Sequence, residues 1–167
     1  MDAEAYVVAG GSASFAGASP VASVLISRNG RSPTLISFHR VQVRRDSERF
    51  DYVWMARLRA ADFRAITTRY ADSQDCPAID HALVTLEQIE RPALDFPGVP
   101  AAIESPPPVD SITLDDYTFT LTARGTFPLS LAYGELSMSG DSASPIGAWA
   151  RMAEAALMPC WTAVSPA

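Results

Sequence analysis

Covalent chemistry in this chain would have to start at Cys76. It stands directly before Pro77, where an apolar helical pattern begins, and Asp80 and His81 follow closely. A helix N-terminus stabilises a thiolate through its free N–H groups and its dipole. A small thiol-dependent enzyme would use Cys76 as nucleophile and His81 as base. The spacing argues against it, because a residue five positions on projects away from Cys76 on an ideal helix.

The other cysteine, Cys160, follows Pro159 at the end of a second helical pattern. Two helices packed antiparallel would bring both sulfurs together. A Cys76–Cys160 disulfide is therefore the preferred reading, closing a loop of roughly 83 residues at a chain-entropy gain of roughly 4–5 kcal/mol. Such a bond belongs to an oxidising compartment, periplasmic or extracellular after removal of a signal. Without it the protein would be expected in the cytoplasm. The opening Met1-Asp2-Ala3-Glu4 lacks the basic start of a signal peptide.

No other group makes a strong case for catalysis or metal binding, so no catalytic residue, metal or cofactor is assigned. His39 falls on an apolar strand face and reads as a satisfied core histidine. Ser12 and Ser14 lack the turn context of a serine nucleophile. Asp115-Asp116 reads as a turn before a strand. The two cysteines do not have zinc-ligand spacing. The chain has no lysine, which excludes P-loop, Schiff-base and Ser-Lys chemistry. Arginine in place of lysine is what GC-rich coding produces, and it points to a bacterial source.

The arginines are unevenly placed. Ten of thirteen lie between Arg28 and Arg69, against only four acids there, while the rest of the chain holds fifteen acids and three arginines. The net charge of −6 disfavours general coating of nucleic acid or anionic membrane. It leaves room for one basic face directed at an acidic protein partner.

That face would come from a β-hairpin, Thr34–Arg44 and Asp51–Arg59, paired so that Arg44 meets Asp51. In this register Leu35, Ser37, His39, Val41 and Val43 share one face with Tyr52, Trp54 and Leu58. Arg40, Gln42 and Arg44 share the other with Met55, Arg57 and Arg59, and Ile36 and Phe38 lie at its end. Arg40, Arg44, Arg57 and Arg59, with Phe38 and Met55 between them, form the candidate binding site. Guanidinium forks favour bidentate carboxylates, and arginines among apolar side chains suit protein interfaces. The competing reading is that acids of the helix near Pro77–Glu90, or of Asp110–Asp116, cover the face. RNA or another polyanion is the weaker binding alternative.

Around this hairpin, Tyr6–Ala9 reads as a short strand, Gly10–Pro20 as a flexible loop and Val21–Arg28 as a strand ending in an Asn29-Gly30 turn. Ala61–Tyr70 has helical spacing at Phe63, Ile66 and Tyr70, although Ile66-Thr67-Thr68 prefers strand. Pro77–Glu90 is helical, capped by Asp75 or Cys76, with an apolar stripe of Ile79, Ala82, Leu83, Leu86 and Ile89. Residues 93–109 carry five prolines and read as an extended connection. A second hairpin pairs Tyr117–Ala123 with Phe127–Tyr133, placing threonines outward and Tyr117, Phe119 and Leu121 inward. The last element is a helix, Pro145–Met158, capped by Ser144 and buried through Ile146, Trp149, Ala153, Ala156 and Leu157.

Together these elements specify a single α+β domain over residues 1–167. A mainly antiparallel sheet built from two β-hairpin segments carries two main helices on one face. No apolar run approaches the ~20 residues of a membrane span. The functional expectation is a soluble, non-catalytic interaction protein (inhibitor-like, immunity-like or accessory) that engages an acidic partner through the arginine face.

Overall fold

In the computed structural model of the chain, the described residues are 7–8, 13–28, 31–44, 50–62, 65–90, 117–126 and 133–165. Six strands alternate in direction: β1 (Pro20–Arg28), β2 (Thr34–Arg44), β3 (Phe50–Asp62), β4 (Ala65–Asp72), β5 (Tyr117–Thr126) and β6 (Tyr133–Gly140). They form one antiparallel sheet in the order β4-β3-β2-β1-β5-β6. Helix α1 (Ala78–Glu87) lies between β4 and β5 in the chain, and α2 (Pro145–Leu157) follows β6. This is the expected α+β fold.

Strand alternation gives the sheet two different faces. Ala22, Val24, Ile26, Ile36, Phe38, Ala56, Phe119 and Leu121 point to one side, where they meet Ile79 and Ala82 of α1 and Ile146, Trp149, Ala153 and Leu157 of α2. Burying a side chain of this size stabilises the fold by roughly 1.5–3 kcal/mol. The Trp149 indole N–H donates to the Ala82 carbonyl at 2.9 Å, tying the helices at mid-length. Cys76, just before α1, is bonded to Cys160, just after α2, so the helices run antiparallel. Among the described residues no helix is long and apolar enough to cross a membrane.

The helix ends follow their sequence signals in part. Ser144 caps α2, accepting from the Gly147 N–H at 3.1 Å, and Pro145 takes the first helical position. No side chain caps α1, whose N-cap position is Pro77. The expected caps, Asp75 and Cys76, belong instead to a turn organised by Asp72. Its Oδ1 accepts from the N–H groups of Gln74 and Asp75, and its carbonyl accepts from Cys76.

Three expectations are corrected. Ala61–Tyr70 is not helical: β3 runs on to Asp62 and pairs with β4, Ala61 facing Ile66 and Arg59 facing Thr68. The strand preference of Ile66-Thr67-Thr68 prevails because pairing with β3 satisfies its backbone. In the second hairpin, Phe119 faces Gly140 and Leu121 faces Met138, so the partner strand begins at Tyr133. Residues 127–132 lie outside the described residues, as do the Asn29-Gly30 turn and the proline-rich 93–109 stretch. Val7 and Val8 are helical rather than strand, and Val7 is buried against Leu35 and Ala61.

Candidate functional site

The β2–β3 ladder sets the geometry of the predicted site, and its register is one residue from expectation. Thr34 faces Ala60, His39 faces Met55 and Arg44 faces Phe50. A one-residue slip moves every side chain of one strand to the other face. The observed register places Ile36 and Phe38 on the same side as Trp54, Ala56 and Leu58, giving the helices a continuous apolar floor. Setting Arg44 opposite Asp51, as in the expected register, would have offered at most a surface ion pair of about 0–1 kcal/mol. That is too little to oppose burial of several large side chains.

The four-arginine face is therefore divided between the two sides of the sheet. Arg40 lies on the helix-bearing side, exposed, with its guanidinium 4.1 Å from the centre of the Tyr52 ring. Arg44 ends the ladder opposite Phe50, and its side chain lies outside the described residues. Arg57 is buried and Arg59 half-buried on the opposite face. Phe38 is fully buried in the main core, its ring 6.3 Å from that of Trp149. Met55 is buried with Phe15 and Val41. Phe38 and Met55 are thus core residues and not part of a surface.

What covers Arg57 is a segment that the sequence had suggested to be a flexible loop. Phe15 and Ala18 exchange backbone hydrogen bonds of 2.9 Å around Ala16-Gly17, both with positive φ. Positive φ at both central residues is the signature of a type I′ turn, and glycine adopts it without strain. This turn lies against the sheet. The Arg57 guanidinium donates to the Ala13 carbonyl at 2.8 Å and sits 5.8 Å from the Phe15 ring centre. Phe15 also stacks on Tyr70 at 5.2 Å and meets His39 edge-on at 5.7 Å.

His39 completes this cluster and is fully buried. Its Nδ1 is 3.0 Å from the Ala18 carbonyl oxygen, which can only accept, so Nδ1 carries a proton. Nε2 lies 3.0 Å from the Ser37 hydroxyl, which also reaches the Arg57 carbonyl at 3.4 Å. Burial lowers the His39 pKa; the Ala18 carbonyl raises it, and the Arg57 charge lowers it further. The Arg57 pKa is itself lowered, by burial and by Arg59, while Tyr70 raises it. A Ser–His pair oriented by a carbonyl has the parts of a nucleophile and base, but this one is sealed beneath the Phe15 turn. Its visible work is to fasten residues 13–18 to the sheet.

The tip of the β2–β3 hairpin is where exposed aromatic surface collects. Pairing of β1 with β2 ends at His39, and pairing of β4 with β3 ends at Met55. Residues 40–44 and 50–53 therefore continue as a two-stranded arm beyond both neighbouring strands. Phe50 and Tyr52 are 54% and 57% exposed, and Val43 is 36% exposed. On the other side of the arm, Val41 and Val53 are buried.

A second feature is an apolar groove of about 530 Å³ on the helix-bearing side. The end of α1 supplies Leu83, Leu86 and nearby Ile89, and the sheet supplies Trp54, Leu136 and Met138. Facing glycines, Gly125 and Gly134, leave its outer corner low. Neither the arm nor the groove was read from the sequence. The arm's signal was present in the alternation Phe50, Tyr52, Trp54. The groove depends on how far α1 reaches across the sheet, which no local pattern encodes.

Cys76 and Cys160 are joined, with S–S 2.06 Å and a sequence separation of 84. A bonded sulfur is no nucleophile, so thiol chemistry at Cys76 would require the reduced protein. His81 is exposed on α1, where its N–H donates to the Pro77 carbonyl. Among the described residues no group of three or more His, Cys, Asp or Glu side chains is placed to hold a metal. No family model, curated protein or solved structure matches the chain.

Proposed function

We propose that this chain is a non-catalytic binding protein that engages an acidic protein partner through the tip of its β2–β3 hairpin. The observation that carries this reading is the exposed Arg40–Tyr52 pair on an arm that outruns its neighbouring strands. Stacking holds the guanidinium in place before a partner arrives, which lowers the ordering cost of binding. Tyrosine and arginine with a neighbouring phenylalanine are the residue types that dominate interface energetics. Arg40 supplies the preference for carboxylates, and Phe50 and Tyr52 supply the apolar contact. Arg57 and Arg59 have no part in this surface. Arg57 secures the covering turn, and Arg59 lies half-buried beside it.

The Cys76–Cys160 bond supports a periplasmic or secreted setting, because disulfides persist where thiols are not held reduced. A partner is expected in the same compartment.

A photo-crosslinking residue at position 52, with one at the exposed Thr118 as control, tests the reading. Position 52 should label one acidic protein that position 118 does not. With that protein purified, Arg40→Glu should weaken binding by about tenfold or more and leave the melting temperature unchanged. Equal labelling from both positions, or full affinity in the Arg40→Glu variant, would overturn it.

A further inference from the structure

The two edges of the sheet are finished differently. At β4, the segment after α2 bridges the edge near its end: Tyr70 N–H donates to the Thr162 carbonyl and Thr162 N–H donates to the Tyr70 carbonyl, each at 2.9 Å. At β6, the last strand on the other side, no described segment pairs with the outer backbone. An open edge is a template for another strand, and proteins that must stay single blunt it with charged side chains, lysine above all, or with Pro, or cover it. β6 carries one charge, Glu135 near its start, and neither Lys nor Pro. Its exposed residues are Glu135, Leu136, Ser137 and Ser139, with Leu136 42% exposed.

We propose that the outer edge of β6 pairs antiparallel with β6 of a second copy of this chain, making one continuous twelve-stranded sheet. A two-fold axis through Ser137 places each residue opposite the one whose number makes 274 with its own. Leu136 then meets Met138 of the second copy twice, both on the helix-bearing side. On the other side Ser137 meets Ser137, and Glu135 meets Ser139. No carboxylate faces a carboxylate, so the edge meets itself without like-charge repulsion and with apolar residues opposed. The pairing also brings the apolar grooves beside Leu136 and Met138 together across the axis. A partner with basic residues at its edge would pair with Glu135 alone and leave Leu136 without an apolar counterpart, so a second copy fits the strand better. The hairpin arms of the two copies would lie at opposite ends of the joined sheet.

Sedimentation of the intact, oxidised protein from 1 to 200 µM reads the assembly directly. A species of twice 17.9 kDa should appear with rising concentration. Ser137→Cys should then give a covalent dimer on mild oxidation, because residues opposite each other in antiparallel strands come within disulfide reach. Ser139→Cys should not. Ser137→Glu, which sets like charges face to face in an exposed position, should weaken self-association about fivefold with an unchanged melting temperature. A monomer at every concentration overturns the proposal and leaves the edge to a strand from a different protein. A dimer that crosslinks through Ser139→Cys, or survives Ser137→Glu unchanged, overturns it equally.

Discussion

His39 donates from Nδ1 to the carbonyl of Ala18 at 3.0 Å, across a sequence separation of 21. This one bond fastens the Phe15–Ala18 turn over β2, β3 and β4 and fixes a proton on Nδ1. Burial and the nearby Arg57 charge hold the His39 pKa below its ordinary value of 6.5, the Ala18 carbonyl opposing them. Arg59 beside Arg57, and Tyr70 from β4, are the other ionisable groups in the cluster.

A depressed histidine pKa makes stability depend on pH in one direction. Well above pH 6.5 His39 is neutral in both states and contributes no slope. As pH falls through 6.5 the unfolded chain binds a proton that the folded chain resists, so stability falls until the folded pKa has been passed. Urea titrations from pH 8 to pH 5 should show this loss. His39→Asn, which keeps a donor near the Nδ1 position, should flatten the part due to this site. His39→Ala should lower stability at pH 8 by roughly 2–4 kcal/mol, by leaving a cavity and an unpaired Ala18 carbonyl. An unchanged slope in His39→Asn would show that other groups carry the pH dependence.

Reducing the Cys76–Cys160 bond should destabilise the protein without changing its fold. The loop it closes is long, and loss of such a bond costs about 2–5 kcal/mol. For a chain of this size that corresponds to a fall of roughly 5–15 °C in melting temperature. Thermal melts with and without reductant measure it. Iodoacetamide should label neither cysteine until reductant is added, and rapid labelling of Cys76 in untreated protein would contradict the bonded state.

Gly147 in the first turn of α2 should not tolerate a side chain. A Cβ there would collide with the Asp141 carbonyl and the Ser142 backbone. Alanine favours helix interiors over glycine by about 1 kcal/mol, but forcing apart two backbone segments costs about 1–3 kcal/mol or more. The collision should prevail, so Gly147→Ala is expected to melt lower than the parent chain. A higher melting temperature would mean that the Asp141–Ser144 turn yields easily.

Much of this fold was legible because local and tertiary signals agreed. Ser144-Pro145 marked the start of α2, and Ile79-Ala82 and Ile146-Trp149 marked the faces that pack. The Tyr117–Ala123 alternation correctly separated core from threonines. The proximity of Cys76 and Cys160 followed from helix ends alone. The candidate site was far less legible, because it depended on a register. Both faces of β3 carry apolar residues, Trp54, Ala56 and Leu58 on one and Val53 and Met55 on the other, so alternation alone permits either pairing. Setting Arg44 opposite Asp51 chose the wrong one. The Phe15 turn was hidden for a different reason: a single aromatic among Gly, Ala and Ser looks like loop until there is a sheet for it to cover.

The register itself can be tested by crosslinking across the hairpin arm. Gln42 faces Tyr52 in the ladder, so cysteines at these positions share a face and fall within disulfide reach. Cysteines at Val43 and Tyr52, a pair in the alternative register, would project from opposite faces. The Gln42→Cys, Tyr52→Cys double variant should therefore oxidise to an intramolecular bond, seen as loss of two hydrogens by intact mass and located by peptide mapping. The Val43→Cys, Tyr52→Cys variant should retain two free thiols under the same conditions. The reverse outcome would put Arg57 and Arg59 back beside Arg40 and restore the undivided arginine face.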